Sequence, residues 1–264
     1  MPTPASDEAH RQRTVAESFG EDAERYDRAR PDYPAALLER ILDGLPGREV
    51  LDVGCGTGIV ARQLQAAGCT VLGVDPDERM AAAARRRGLE VEVATVEAWD
   101  PAGRTFDAMV AGQAWHWVEP SAGAAKAAAV LRPGGRFAAF WNAFGPPPDL
   151  AEAFAEVFRR ELPDLPMLQR WAGGPDAYAT FSAQAGEALS ATGAFAEPEI
   201  WRVPWERTYT RAEWLDTVPT VGLLTRVPPE RLAPALAGIG AVVDSAGGSF
   251  VMGYNTVALS AVHH

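Results

Sequence analysis

Apolar residues recur along the chain in two periods, and the switches between them mark the elements. Val50-Leu51-Asp52-Val53 is a short branched run that predicts a strand, and it enters three glycines spaced G-x-G-x-G at Gly54, Gly56 and Gly58. Beyond them Ile59, Val60 and Leu64 fall at helical spacing, with Gly68 where a C-terminal cap belongs. Thr70 to Val74 predicts a second strand ending at Asp75, and Met80 opens an alanine-rich helix that closes on Arg85-Arg86-Arg87-Gly88, cations and glycine where the macrodipole and cap favour them. Val91-Glu92-Val93 predicts a third strand and Phe106 to about Ala111 a fourth, opening into Gly112-Gln113-Ala114-Trp115-His116-Trp117. Ser121 to Leu131 predicts a helix, Pro133-Gly134-Gly135 a turn, and Arg136 to Trp141 a fifth strand.

The flanks read in the same way. Phe19, Ala23 and Tyr26 mark an amphipathic cover helix stopped by Pro31, after a polar stretch 1–13 expected to be disordered. Pro34 to Gly44 predicts a helix with Leu37, Leu38, Ile41 and Leu42 on one face. After the proline run 146–148, Leu150, Phe154, Val157 and Phe158 predict a helix, a loop bearing proline and tryptophan follows, and another helix ends at Gly193. Trp201, Val203 and Trp205 alternate against Arg202, Pro204 and Glu206 as in a sheet with one covered face. Helical segments run from Arg211 to about Asp244, and Phe250 to Val262 is apolar on both faces, as a central buried strand should be.

Composition narrows the class. With 264 residues, 47% of them hydrophobic, the chain suffices for one large α/β domain with an appended lid. A formal charge of −11 argues against grasping a phosphate backbone, so no nucleic-acid partner is expected. The two cysteines, Cys55 and Cys69, form neither a disulfide framework nor a metal-ligand spacing, and no metal is expected. With no apolar leader and no spanning run, the expectation is a soluble, cytoplasmic protein without a membrane partner. The terminal His263 and His264 read as a tag remnant rather than as ligands.

A glycine-rich strand-to-helix turn serves either geometry alone or a nucleotide, and Asp75 decides for the second reading. It lies 21 residues beyond Gly54, at the spacing of an acid that grips a ribose diol. Ile59 stands where the nicotinamide fingerprint wants a third small residue, and no lysine follows the glycines as a phosphate-binding loop requires, so NAD and ATP are disfavoured.

LDVGCGTG, VDPDERM, FDAMVAGQAWHW and LRPGGRF, in this order, with SFGEDAERYDRARPDYP upstream, resemble the motifs of class I S-adenosylmethionine-dependent methyltransferases, in particular their small-molecule (type 11-like) branch. The resemblance implies a seven-stranded, Rossmann-like, doubly wound α/β sheet whose last strand is antiparallel and inserted between strands five and six. It divides the single domain into a cover segment 1–33, a core 34–208, a helical lid 209–247 and a last strand 248–264. It implies methyl transfer from S-adenosyl-L-methionine to a small acceptor, leaving S-adenosyl-L-homocysteine. A cofactor-binding fold with other chemistry, or a scaffold, is the alternative.

Carried over residue by residue, the cofactor site comprises Asp52, Gly54, Cys55, Gly56, Thr57, Gly58, Asp75, Pro76, Met80, Thr95, Val96, Glu97 and Gln113, with Tyr26 and Arg30 from the cover segment and Tyr33 nearby. Thr95 stands where many members carry an acid for the adenine amino group. Met80 lies against adenine or simply fills core; Arg30 meets the cofactor carboxylate or is a solvated charge. Gln113 and His116 are the candidate catalytic residues. Histidine titrates in the range a general base needs. If His116 takes no part, an acceptor that is already a nucleophile, such as a carboxylate, is implied.

Overall fold

The computed structural model describes residues 19–165 and 178–264. The disordered stretch expected at 1–13 and the loop around Trp171 lie outside the described residues.

A 3-10 turn at Phe19–Asp22 leads into α1 (Ala23–Ala29), and α2 (Ala35–Leu42) follows. Then come β1 (Glu49–Val53), α3 (Ile59–Ala66), β2 (Thr70–Asp75), α4 (Glu78–Arg86), β3 (Glu90–Val93) and β4 (Phe106–Gly112). The second half runs α5 (Pro120–Val130), β5 (Leu131–Gly145), α6 (Pro148–Glu161), α7 (Ala179–Thr192), β6 (Glu199–Thr210), α8 (Arg211–Thr217), α9 (Pro229–Ser245) and β7 (Ser249–Val262). The seven strands form one sheet in the order β3-β2-β1-β4-β5-β7-β6. β7 runs antiparallel to both β5 and β6, while the other pairs are parallel. This is the α/β doubly wound sheet that the motifs imply. Its strand order reverses between β1 and β4, which opens a crevice at their carboxyl ends.

Two boundaries differ from the sequence pattern. β5 begins at Leu131 and continues past Trp141 to Gly145, because β7 pairs with it from Arg136 to Gly145. β7 is buried on both faces only from Thr256 to Ala261, whereas from Ser249 to Tyr254 exposed and buried residues alternate. Residues 249–254 pair with the outer end of β6, where helices cover one face only.

Alternation splits the core into two layers. Met109, Ala111, Phe137, Ala139 and Trp141 face α5 and α7. Val110, Ala138 and Phe140 face α2, α3 and α4 on the opposite side. A third cluster joins α6, α8 and α9 to the extended ends of β5, β6 and β7 around Phe154, Trp214, Tyr209 and Phe250.

At the amino edge, Asp107 on β4 is buried; it accepts a hydrogen bond from the Glu49 N–H at 2.8 Å and an ion-paired one from Arg132 at 2.9 Å. It therefore ties β1, β4 and the start of β5 together. Replacing it by alanine removes the acceptor of the Glu49 N–H and the buried partner of Arg132, whose own side chain stays partly in solvent and on Thr105. Asp107→Ala should lose about 2–4 kcal/mol of folding stability in urea titration; a loss under about 0.5 kcal/mol would show that the junction does not depend on this carboxylate.

Candidate active site

The chain leaves β1 through Gly54 and Gly56, both at positive φ, and caps α3 with Gly58 at φ 88°. Gly54 is required on two counts, because its φ is 63° and a Cβ there would lie 2.4 Å from the Ala114 methyl group. The glycine turn after β1 and the Gln113–Ala114 turn after β4 thus touch across the switch point. The turn is clamped from β2, since Gly54 N–H donates to the Val74 carbonyl at 2.7 Å and Gly56 N–H to the Asp75 carboxylate at 2.8 Å. Asp75 also accepts from Asp77 N–H at 2.9 Å, yet burial pushes its pKa up to about 6.

Over this turn opens a narrow cleft enclosing about 690 Å³ up to its mouth. Its floor is Asp52, the 54–57 turn, Gly112 and Gln113; its roof is Tyr26, Arg30 and Tyr33. Gln113 is held at φ 57°, uncommon for a side chain of this kind, by its N–H bond to the Phe140 carbonyl at 2.8 Å. Tyr33 is bracketed by the Gln63 amide at 3.0 and 2.9 Å and packs edge-on against Phe140.

Asp52 is the electrostatic centre of the cleft. It is 1% exposed, and neither carboxylate oxygen has a hydrogen-bond partner among the described residues. Burial, then the neighbouring Asp75, push its pKa up to about 8, which the Ala61 N–H in the first turn of α3 offsets only in part. Thr57 Oγ1 is likewise buried without a partner. Arg30 closes the opposite side, donating to the Thr220 carbonyl while its Nε stays buried and unbonded. A buried unpaired acid, a buried hydroxyl without a partner and a guanidinium with a spare donor fit a zwitterionic group such as an amino acid moiety.

The structure thus brings Tyr26, Arg30, Asp52, Gly54, Cys55, Gly56, Thr57 and Gln113 to one cleft. Gly58, Asp75, Pro76, Met80, Thr95, Val96 and Glu97 do not line it. Asp75 and exposed Pro76 end β2, Met80 is buried in α4, and Thr95 and Val96 follow β3. Glu97 there accepts from the Glu119 N–H at 3.0 Å.

His116 is a correction. Consecutive residues on β5 point to opposite faces, so Asn142 lines the cleft while Trp141 points away from it. His116 lies with Trp141: its Nδ1 accepts the Trp141 indole N–H at 3.1 Å, and its ring packs against Trp117 and Phe181. Burial holds its pKa down, at about 3. Its basic lone pair is engaged on the far side of the sheet, so it cannot serve as the base.

Several lining residues escaped the sequence reading, namely Asn142, Phe144, Trp214, Thr217, Val221 and Tyr254. Asn142 carried a signal, as an amide inside an apolar strand; the others sit in patterns that core packing explains equally well. Among the described residues, no cluster of His, Cys, Asp or Glu could hold a metal ion, and no helix is long and apolar enough to cross a membrane.

The chain is similar in sequence and fold to known methyltransferases. The methyltransferase domain family matches residues 50–135. An uncharacterized methyltransferase of Mycobacterium tuberculosis (strain H37Rv) is 38% identical over 133 residues, covering 49% of this chain and 54% of the relative. Trans-aconitate 2-methyltransferase of Mycolicibacterium gilvum is 34% identical over 148 residues, covering 55% and 53%. The chain thus spans about half the length of the curated relatives it matches. Among solved structures, a candidate type II methyltransferase from Anaeromyxobacter dehalogenans superposes with a TM-score of 0.61 at 23% identity, over 88% of this chain and 97% of that one. Haemonchus contortus phosphoethanolamine N-methyltransferase 2, in complex with S-adenosyl-L-methionine, gives 0.52 at 18% identity, over 100% and 61%.

Two outcomes follow from the cleft. His116→Ala leaves the Trp141 indole N–H unsatisfied and should cost about 1–3 kcal/mol of stability, with the activity per folded molecule within about twofold of wild type; a large selective loss of turnover would return His116 to the chemistry. Asp52 titrates near 3.9 when unfolded and near 8 when folded. Between those values the folded state holds more protons, so this contribution is full below pH 4 or so and is lost as pH rises through about 8. The free wild-type protein should therefore lose stability from pH 5 to about 9, and Asp52→Asn, which cannot ionise, should lose clearly less. Parallel melting profiles for the two proteins would remove Asp52 as the source.

Proposed function

We propose, for a chain that carries a class I S-adenosylmethionine-dependent methyltransferase domain, that it transfers a methyl group from S-adenosyl-L-methionine to a small-molecule acceptor in the cleft above the glycine turn. The observation that carries this reading is Asp52, a buried acid left without a partner where the sheet order reverses. When bound, the cofactor supplies a methyl group on a positively charged sulfur, which makes it an electrophile. The chain's own groups bind, orient and exclude water.

Asp52 accepts hydrogen bonds from the ammonium of the methionine moiety, Arg30 donates its free Nε–H to the carboxylate, and the Gly54–Thr57 turn brings the Thr57 hydroxyl alongside. Asp75 and Pro76 at the end of β2, Met80 on α4 and Thr95, Val96 and Glu97 after β3 serve the nucleoside end, beyond Gly56. Gln113, fixed by its strained backbone, borders the place of transfer. Alignment of this kind lowers such a barrier by up to about 7–11 kcal/mol.

Residues 19–33 and 211–245 close the cleft as cover and lid. α1 is clasped to α8 by Arg25 and Arg28 on Asp216 at 3.2 and 2.7 Å, and to the ends of α3 and α4 by Glu24 and Asp27 on Arg62, Arg86 and Arg87. Relatives whose names specify trans-aconitate and ubiquinone biosynthesis support a small acceptor.

Calorimetry with S-adenosyl-L-methionine and transfer of its labelled methyl group test the reading together. At pH 7, ion pairing should drive Asp52 to ionise, so binding should release up to about one proton, read as a dependence of the binding heat on the buffer. Asp52→Asn should weaken binding about 10- to 100-fold. Absence of cofactor binding by the folded wild-type chain would overturn the proposal.

A further inference from the structure

The cleft has a second wall, whose residues take no part in the cofactor contacts proposed above. β5 and β7 contribute Asn142, Phe144 and Tyr254 to it, and the segment between β6 and β7 contributes Trp214, Thr217 and Val221. Three of these are aromatic. The Tyr254 hydroxyl is already engaged with that of Tyr209 at 2.6 Å, and its ring lies on Trp205 with centroids 4.1 Å apart, so the wall offers flat apolar surface.

The Thr217 hydroxyl is taken up by the Ala29 and Glu213 carbonyls, which leaves Asn142, whose amide has a fixed orientation. The Trp205 indole N–H, which can only donate, points at Thr256 Oγ1 at 2.8 Å. Thr256 is fully buried, so its hydroxyl hydrogen needs an acceptor, and Asn142 Oδ1 stands 2.6 Å away. The relay runs Trp205 to Thr256 to Asn142 and turns the amide NH₂ away from Thr256. That NH₂ group makes no bond among the described residues, on a side chain that lines the cleft. It offers donors and no acceptor.

The cleft also lacks a group to take a proton. Beyond Asp52 and Arg30, the described residues that line it carry no carboxylate, imidazole or amine. Burial pushes the Cys55 thiol and the Tyr33 and Tyr254 phenols up, so all three keep their protons. An acceptor that must first be deprotonated finds no base here.

We propose that the acceptor is a carboxylate on an apolar body, methylated to its ester, with one carboxylate oxygen held by the Asn142 NH₂ group. This rests on the methyl-transfer reading above. A carboxylate is ionised at neutral pH and accepts N–H donors at both oxygens. An oxygen lone pair forms the O–CH₃ bond while the S–CH₃ bond breaks and its electron pair stays on sulfur. One negative and one positive charge disappear, and no proton moves. Asn142 touches the acceptor; Thr256 positions Asn142.

The test uses the full chain, labelled S-adenosyl-L-methionine, and a panel of monocarboxylic acids with aromatic or aliphatic bodies, each beside the phenol or alcohol and the primary amine of the same skeleton. Label should enter the acids and be released by mild alkali as volatile methanol. Label in alkali-stable ethers or amines overturns the carboxylate while methyl transfer stands. Acids that are neither methylated nor bound by the protein saturated with S-adenosyl-L-homocysteine also overturn it. Cofactor binding without transfer to any class counts against the methyl-transfer reading itself.

On a methylated acid, Asn142→Asp should raise the acceptor KM at least about tenfold by placing a second negative charge there, a larger factor than any change in cofactor Kd, with melting temperature measured alongside because the position is buried. Thr256→Val should raise KM by a smaller factor, and Thr256→Ser, which keeps the hydroxyl, should restore it. An unchanged KM in Asn142→Asp, or no rescue by serine, removes Asn142 as the holder.

Discussion

The cleft is organised around a carboxyl group placed where solvent cannot reach it. Asp52 sits at the carboxyl end of β1, against the first turn of α3 and near Asp75, with no hydrogen bond to either oxygen. Burial of this kind costs folding energy unless a partner arrives. The surrounding structure sustains it: Gly54 and Gly56 are pinned to β2, and the Gln113–Ala114 turn presses on Gly54 from β4. Stability given up at this one residue leaves an acid oriented and dry within the cleft. The positive φ of Gln113, seven residues from the start of α5 in a loop that also carries Trp115 and His116, is the backbone counterpart of the same arrangement.

Much of this was legible in the sequence. Branched residues, the G-x-G-x-G turn and Asp75 fix β1, β2 and the switch point, because strand propensity and glycine geometry are local properties. The antiparallel position of β7 came from the resemblance, as no local signal encodes which strand lies between β5 and β6. The site was legible where it is built from backbone. It was not legible where it depends on which face a side chain takes. WHW follows β4 at the edge where ligands bind, yet His116 turns behind the sheet to meet Trp141, while Asn142, one residue further along β5, turns toward the cleft. A single-residue difference of phase reverses the role, and periodicity read over an all-apolar strand carries no phase.

Charge distribution shows a similar division. The Arg85-Arg86-Arg87 run reads as a helix terminus, and the structure keeps it there, but two of its members also hold α1 through Glu24 and Asp27. The pairs on Glu24 are largely exposed on the carboxylate side and each contributes little by itself, whereas Arg87–Asp27 is mostly covered. Together with Arg25 and Arg28 on Asp216 they connect the cover helix to α4 on one side and to α8 on the other. The Thr217 hydroxyl adds a bond to the Ala29 carbonyl at 3.3 Å, and Arg30 one to the Thr220 carbonyl. Sequence alone could not pair residues nearly two hundred positions apart, and only the folded sheet brings α1 between them.

The same geometry separates the two ligands' demands. The groups proposed for the cofactor's zwitterion come from β1 and its turn and from Arg30, which ends α1. The opposite wall comes from the extended ends of β5 and β7 and from the helices between β6 and β7, parts of the chain outside residues 50–135. A shared domain can therefore keep its cofactor chemistry while the acceptor wall is rebuilt. In this chain that wall is largely aromatic and carries the Asn142 amide, whose direction is set by a threonine and an indole on neighbouring strands rather than by any group in the cleft itself. The acceptor contact proposed for Asn142 therefore depends on the pairing of β5, β7 and β6, where Asn142 stands opposite Thr256 in register, and a slip of one residue there would turn the amide out of the cleft.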